Sequence, residues 1–276
     1  MTPKIALVTG ASSGIGEATA RKLHGLGFTV YGAARRVDRM EKLAADGIRP
    51  LAMDVTDEDS MQSGIERILA ESGRIDVLVN NAGYGSYGAL EEVPLSEARY
   101  QFEVNVFGAA RLIQLVLPGM RAQRSGRIVN ISSMGGKIYT PLGGWYHGTK
   151  FALEALSDCL RLEVKPFGID VVVIEPGGIR TEWGGIAADN LRKVSAAGPY
   201  ANQAEAMAKS MDSEMADRRS SPPTVIADAI AKAVTARRPR TRYLVGFAAK
   251  PLVTLRRLLP DRAFDYTIKR ATGARN

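Results

Sequence analysis

Six short apolar runs alternate with longer stretches of helical periodicity. They lie at residues 4–9 (KIALVT), 29–34 (TVYGAA), 48–53 (IRPLAM), 75–80 (IDVLVN), 126–132 (GRIVNIS) and 169–175 (IDVVVIE). This alternation constrains the fold more than any other feature. A strand that is apolar at nearly every position needs cover on both faces, and right-handed crossovers supply it by laying helices on either side of a parallel sheet. Helical patterns occupy residues 17–27, 37–47, 60–72, about 96–124 and about 145–166, and glycines at 47, 73 and 168 stand where helices should stop. A further helix at 224–236 and a last strand at 241–246 complete the series. The expected architecture is a three-layer, doubly wound α/β fold on a parallel sheet of about seven strands. Without a repeat, low-complexity tract or linker, residues 1–276 should form one domain. Regularity fails between about 181 and 220, a stretch too long for a plain connection that should hold a helix or two laid as a lid over a cleft.

The formal charge of +8 is unevenly placed. From residue 237 onward eleven Arg or Lys stand against Asp261 and Asp265, which leaves the first 236 residues at −1. Residues 247–276 therefore form a basic C-terminal extension, whose apolar side should pack on the body and whose charged side should face solvent. Peripheral contact with an anionic membrane or a partner is the alternative. Nucleic acid is not expected, because the charge belongs to no recognisable binding module. Cys159 is the single cysteine, so no intrachain disulfide can form; its setting in LSDCLRL suggests the buried face of a helix. No leader-like segment precedes the first strand, and no run approaches the roughly 18–20 apolar residues that span a bilayer, so a cytoplasmic location is expected.

Immediately after the first strand comes TGASSGIG, residues 9–16, followed by a helix. Glycines at 10, 14 and 16 allow a tight turn and a close backbone approach by a pyrophosphate, while the helix offers unpaired N–H groups and the positive end of its dipole. Gly10, Ser12, Ser13, Gly14, Ile15 and Gly16 are thus candidate contacts of a dinucleotide, in the arrangement of a Rossmann fold. At the end of the second strand, where an acid would take the ribose hydroxyls of NAD, the chain has Ala34 followed by Arg35 and Arg36. Two guanidiniums and no carboxylate favour a 2′-phosphate, hence NADP(H). Asp54 and Val55 close the third strand, and Asn81, Ala82 and Gly83 follow the fourth, both at the edge where adenine and ribose would lie.

The fifth strand ends in Ser132 and Ser133, and thirteen residues beyond Ser133 stands Tyr146, with Lys150 one helical step further on. A phenol with a pKa near 10 is a poor acid or base at neutral pH unless a neighbouring cation stabilises its anion. Lys150 can supply that field. Adjacent strand residues point to opposite sides, so only one of the two serines faces the cleft.

From residue 4 to about 180 the chain resembles the short-chain dehydrogenase/reductase family: glycine loop, DV, NNAG, VNVFG, ISS, YxxxK and PGG stand in order. The resemblance implies Tyr146 as acid/base, Ser133 as the group that polarises the substrate oxygen, and Lys150 as the residue that binds the nicotinamide ribose and lowers the tyrosine pKa. It implies Asn105 as the holder of a water in a proton relay, Pro176, Gly177 and Thr181 beside the nicotinamide, and assembly as a homodimer or homotetramer through the two long helices. The function expected is NADP(H)-linked interconversion of a ketone or aldehyde with an alcohol, on a partly apolar small molecule. An NAD-linked alcohol dehydrogenase and a non-catalytic nucleotide-binding regulator are the alternatives; an activated C=C reductase or an epimerase-like enzyme shares the cofactor fold. With only His24, His147 and Cys159 as soft donors, no zinc site is expected, and His147 should point away from the cleft. Tyr84, Tyr87, Met134, Trp145 and Trp183 are candidates for an apolar pocket wall.

Overall fold

The structure, a computed structural model, describes residues 3–273. Seven parallel strands form one sheet: β1 (Ile5–Thr9), β2 (Thr29–Ala34), β3 (Arg49–Ala52), β4 (Val77–Asn80), β5 (Gly126–Ile131), β6 (Ile169–Pro176) and β7 (Arg242–Val245), in the order β3-β2-β1-β4-β5-β6-β7. The connecting helices are α1 (Gly14–Gly25), α2 (Glu41–Ala45), α3 (Glu58–Ser72), α4 (Leu95–Phe102), α5 (Gly108–Ala122) and α6 (Gly144–Val164). After β6 come α7 (Trp183–Ser195), α8 (Ala201–Asp212), α9 (Glu214–Arg219) and α10 (Thr224–Thr235); α11 (Ala249–Leu258) and α12 (Asp261–Ala271) follow β7. The expected doubly wound architecture is the one adopted.

Alternation along each strand divides the core between the two faces. Val8, Val30, Val129 and Val172 pack under Ala20 and Leu23 of α1 and Ile226, Ile230 and Val234 of α10. Their sequence neighbours Leu7, Tyr31, Ile128 and Val171 pack on the opposite face with Met61, Ile65 and Ile68 of α3 and Leu112, Val116 and Met120 of α5. Burying each such side chain stabilises the fold by about 1.5–3 kcal/mol. Local signals set the helix ends: Asp57 caps α3 by accepting the Ser60 N–H at 2.8 Å, and Gly73 ends it in the left-handed region at φ 73°.

Strand order reverses between β1 and β4, so the connections after these strands diverge and leave a crevice at their carboxyl ends. Helix α6 runs past this crevice with a largely polar inward side. Its buried face carries Tyr146, His147, Lys150, Glu154 and Ser157, whereas Phe151, Leu156 and Leu162 are exposed. Cys159 belongs to this outward side and is exposed, which corrects the expectation of a buried cysteine. Leu153 and Val164 are buried beside these polar residues, so the inward side of α6 is mixed and the remaining apolar side chains face outward.

In place of the one or two helices expected after β6, three short ones follow it. Ala187, Ala188 and Leu191 of α7 pack against Ala204, Met207 and Ala208 of α8 and cover Tyr87 and Tyr146. The extension likewise seats its apolar side on the body: Val253 of α11 and Phe264 and Ile268 of α12 enclose Ile138. Residues 274–276, including Arg275, lie outside the described residues.

Candidate active site

The glycine loop and the loop after β4 are laced together across the crevice. Thr9 accepts the N–H groups of Asn81 and Ala82 at 3.0 Å each, and the Asn81 side chain donates to the carbonyls of Thr9 at 2.9 Å and Gly10 at 3.3 Å. Gly10 lies at φ 65°, and a Cβ on Gly16 would overlap the Gly10 carbonyl. Ser13 precedes α1 in extended conformation without using its side chain as a cap, so the first N–H groups of α1 have no side-chain partner there. This is an open anion cradle. Ser12 stands half-buried on the rim, Ile15 packs on the core, and Thr181, past the end of β6, stands where a Cβ on Gly14 would come within 3.1 Å of its methyl. A dinucleotide phosphate fits the residues present.

Arg35 and Arg36 are exposed past the end of β2, and Arg35 donates to the Tyr100 hydroxyl at 3.0 Å. Asp54 uses one carboxylate oxygen on the N–H and hydroxyl of Thr56, at 3.0 and 2.8 Å, which turns the chain after β3. The carbonyl of Val55 abuts Gly108 of α5. Pro176 closes β6, and Gly177 is tied to the Val245 carbonyl at 2.8 Å.

Between α4 and α5 the helix widens into a π-helical turn, Glu103–Phe107. Asn105 lies in it, buried, and its amide clamps the loop after Gly83: Oδ1 accepts the Tyr84 N–H at 3.0 Å, while Nδ2 donates to the Tyr84 carbonyl at 2.9 Å and to Thr149 Oγ1 at 3.1 Å. This side chain is thereby committed to the backbone of the neighbouring loop.

Tyr146 is 7% exposed, with its ring 5.5 Å from that of Tyr87 and 5.2 Å from that of Trp183. Burial pushes its phenol up to about 12, against a hydrogen bond with Ser133 that pulls it down. Lys150 Nζ donates to the Ile131 carbonyl at 3.0 Å and lies 5.9 Å from the centre of the Tyr146 ring. Burial lowers the lysine to about 8, opposed by Glu154. Ser133 faces the same side and caps the turn after β5 by accepting the Gly135 N–H at 3.0 Å, whereas the Ser132 hydroxyl is buried on the other side. Strand geometry therefore separates the two serines as the sequence required.

His147 points away from Tyr146. Its Nδ1 lies 2.8 Å from the Gly135 carbonyl and its Nε2 accepts the Thr140 N–H at 3.0 Å, which assigns the proton to Nδ1. The ring so joins α6 to the loop behind Ser133, and burial lowers its pKa. Among the wall candidates, Tyr87 and Trp183 flank Tyr146. Trp145 instead packs edge-on against Phe102 at 6.5 Å, and Met134 joins the cluster under the extension.

Behind the cleft lies a charged cluster that motif reasoning did not find. Glu154 and Glu175 are 4% and 3% exposed; Lys137 reaches them at 2.8 and 3.8 Å, and Arg242 at 2.9 and 3.3 Å, with a further bond to Asp158 at 2.6 Å. Burial, reinforced by the repulsion of Glu154, pushes Glu175 up to about 7. One signal was available. Glu154 stands four residues after Lys150, on the same helix face, and Glu175 follows directly on the apolar run 171–174 of β6.

The family model described as short chain dehydrogenase matches residues 4–190, a span that holds the glycine cradle at the sheet switch point and Ser133, Tyr146 and Lys150. The chain belongs to this short-chain dehydrogenase family. It is 38% identical to a 3-ketodihydrosphingosine reductase of Bacteroides thetaiotaomicron over 98% of both chains. It is 34% identical to an NADPH-dependent 3-dehydrocapnine reductase of Ornithobacterium rhinotracheale over 95% of both. A short-chain dehydrogenase structure from Streptomyces avermitilis superposes with a TM-score of 0.81 at 34% identity, covering 100% of this chain and 99% of that one.

Proposed function

We propose that this oxidoreductase is an NADP(H)-dependent reductase that converts the ketone of a long-chain, lipid-like compound to an alcohol, with Tyr146 as proton donor. The observation that carries the reading is the burial of the Tyr146 phenol against Ser133, between the Tyr87 and Trp183 rings. A phenol held at about 12 stays protonated at neutral pH, the form needed to protonate an oxygen as charge builds on it. Two relatives named as reductases of a 3-keto and a 3-dehydro compound, one of them NADPH-dependent, support both substrate class and cofactor.

The cofactor, when bound, supplies the hydride. The residues that would hold it are the Gly10, Ser12, Ser13, Gly14, Ile15 and Gly16 loop, Arg35 and Arg36 for the 2′-phosphate, Asp54 and Val55 on the adenine side, and Asn81, Ala82 and Gly83 between the two loops. Tyr146, Lys150, Pro176, Gly177 and Thr181 would complete the nicotinamide end. Ser133 orients the substrate oxygen, and Lys150, still charged at neutral pH, stabilises the phenolate left on Tyr146. Asn105 holds the wall of the cleft through Tyr84. Residues 181–220 act as the lid of a single catalytic domain, with aromatic and alanine-lined cover that excludes water. The exposed apolar side of α6 is the face through which two copies of the chain associate.

Calorimetric titration with NADPH and NADH tests the cofactor, with Arg35→Ala as control. Loss of one charge-assisted contact should weaken NADPH binding about 10–100-fold and leave NADH unchanged. Oxidation of NADPH by 3-ketodihydrosphingosine dispersed in mixed micelles, abolished in Tyr146→Phe without loss of cofactor binding, tests the reaction. Equal affinity for the two cofactors would show that Arg35 stays with Tyr100 and would move the reading to NAD-linked chemistry.

A further inference from the structure

The basic residues of the C-terminal region do not act as one group. Arg242 is spent on Glu154, Asp158 and Glu175, and Arg256 pairs with Asp261 at 2.8 Å. Arg237, Arg238 and Arg240 precede β7 and so lie at the amino edge of the sheet, away from the crevice. The remaining described cations, Lys250, Arg257, Arg262, Lys269 and Arg270, stand on the exposed sides of α11 and α12, and none of the five has an acidic partner among the described residues.

Apolar side chains are interleaved with them. Phe247, just before α11, is 45% exposed, Leu258 75% and Tyr266 66%, while Val253 of α11 and Phe264 and Ile268 of α12 are buried against the body. The outward side is therefore not surplus core surface. Its position also matters: Phe247 bridges Gly178, just past the end of β6, and with Ser221, Leu244, Lys250 and Pro251 it lines a cleft of about 350 Å³. The inner side of the helices rests on the loop that follows Ser133.

We propose that α11 and α12 form a docking surface for an anionic lipid bilayer, which brings the mouth of the site to the membrane. Lys and Arg side chains without an acidic partner among the described residues complement the lipid phosphates, Arg270 donating to the Tyr266 hydroxyl at 3.2 Å, and Phe247, Leu258 and Tyr266 enter the interfacial layer, where an apolar body with a polar rim is stable. A nucleic acid would use the cations and leave the apolar residues in water. The docking itself stands on this surface; that it delivers a lipid ketone rests on the function proposed above.

The test is co-sedimentation of the full chain with equimolar phosphatidylcholine/phosphatidylglycerol vesicles, without substrate, so its result is independent of whether the ketone reading holds. Binding to these vesicles, and not to pure phosphatidylcholine, should be lost as salt rises to about 0.5 M, where the screening length falls to a few ångströms. Arg257→Glu/Arg262→Glu should weaken it at least about 25-fold, given about fivefold for each basic residue near an anionic surface. Leu258→Ser should also weaken it, with NADPH affinity and thermal midpoint unchanged in both variants. No sedimentation of the wild-type chain with anionic vesicles overturns the proposal. So does equal retention on pure phosphatidylcholine. Binding that is indifferent to Leu258→Ser and equally strong on duplex DNA also overturns it, because the surface would then be a general polyanion patch.

Discussion

Replacing Glu175 by glutamine should stabilise the protein, and only at neutral and alkaline pH. Glu175 shares a buried site with Glu154, and the pair faces Lys137 and Arg242, with Asp158 on the far side of the arginine. Two carboxylates this close hold a proton between them, so the titration belongs to the pair. Burial and the charge of Glu154 raise Glu175 from 4.5 to about 7. Below pH 4.5 the group is protonated in both folded and unfolded chains and costs nothing. As pH rises from 4.5 to 7, the unfolded chain releases the proton and the folded chain retains it, so stability declines across that window and is level above it. The difference in proton affinity is about 300-fold, which corresponds to about 3 kcal/mol as an upper figure. Glu175→Gln keeps the shape and one hydrogen-bond donor and removes the titration. Urea midpoints at pH 5 and pH 8 measure the effect: the variant should match the wild type at pH 5 to within about 1 kcal/mol and exceed it by about 2–3 kcal/mol at pH 8. A loss of stability at pH 8 would refute the reasoning, since it would mean that Lys137 and Arg242 require both negative charges.

Three further outcomes test the site and the assembly. Gly16→Ala places a methyl group on the Gly10 carbonyl and within 2.6 Å of the Asn81 amide, so it should weaken NADPH binding about 10–100-fold at unchanged circular dichroism; full affinity would mean that the loop is not the phosphate cradle. With saturating cofactor, ketone reduction should fall as pH rises above about 8 and Lys150 loses its proton, and Lys150→Arg should move that limb upward; a pH profile identical in the variant would sink the assignment. Leu162→Glu, on the exposed side of α6, removes about 1.5–3 kcal/mol of apolar burial from each of two copies and should lower dimer affinity by at least about 100-fold by light scattering. An unchanged mass would place the interface elsewhere.

Local and periodic features were enough to determine the architecture and the order of its elements. The strands are apolar at consecutive positions because both faces of the sheet are covered, and Gly10, Gly16 and the Tyr146–Lys150 step are short-range patterns that depend on the backbone within one turn. Strand alternation requires that only one of Ser132 and Ser133 face the cleft, and the Ser-to-Tyr spacing of the family it resembles points to Ser133. What a contact across elements decides was not legible: that Thr9 and Asn81 bind the two loops together, that a π-helical turn directs Asn105 to Tyr84, and that His147 joins α6 to the loop behind Ser133. Cys159 turns outward: helical periodicity reports only which residues share a face, and packing decides which face turns inward. On α6 the inward side carries the polar residues of the crevice together with Leu153 and Val164, so the apolar pattern alone did not decide which side Cys159 joins. The Glu154–Glu175 cluster has the same origin: its members come from α6, β6, β7 and the loop after β5, and their energies depend on burial that no one-dimensional pattern contains.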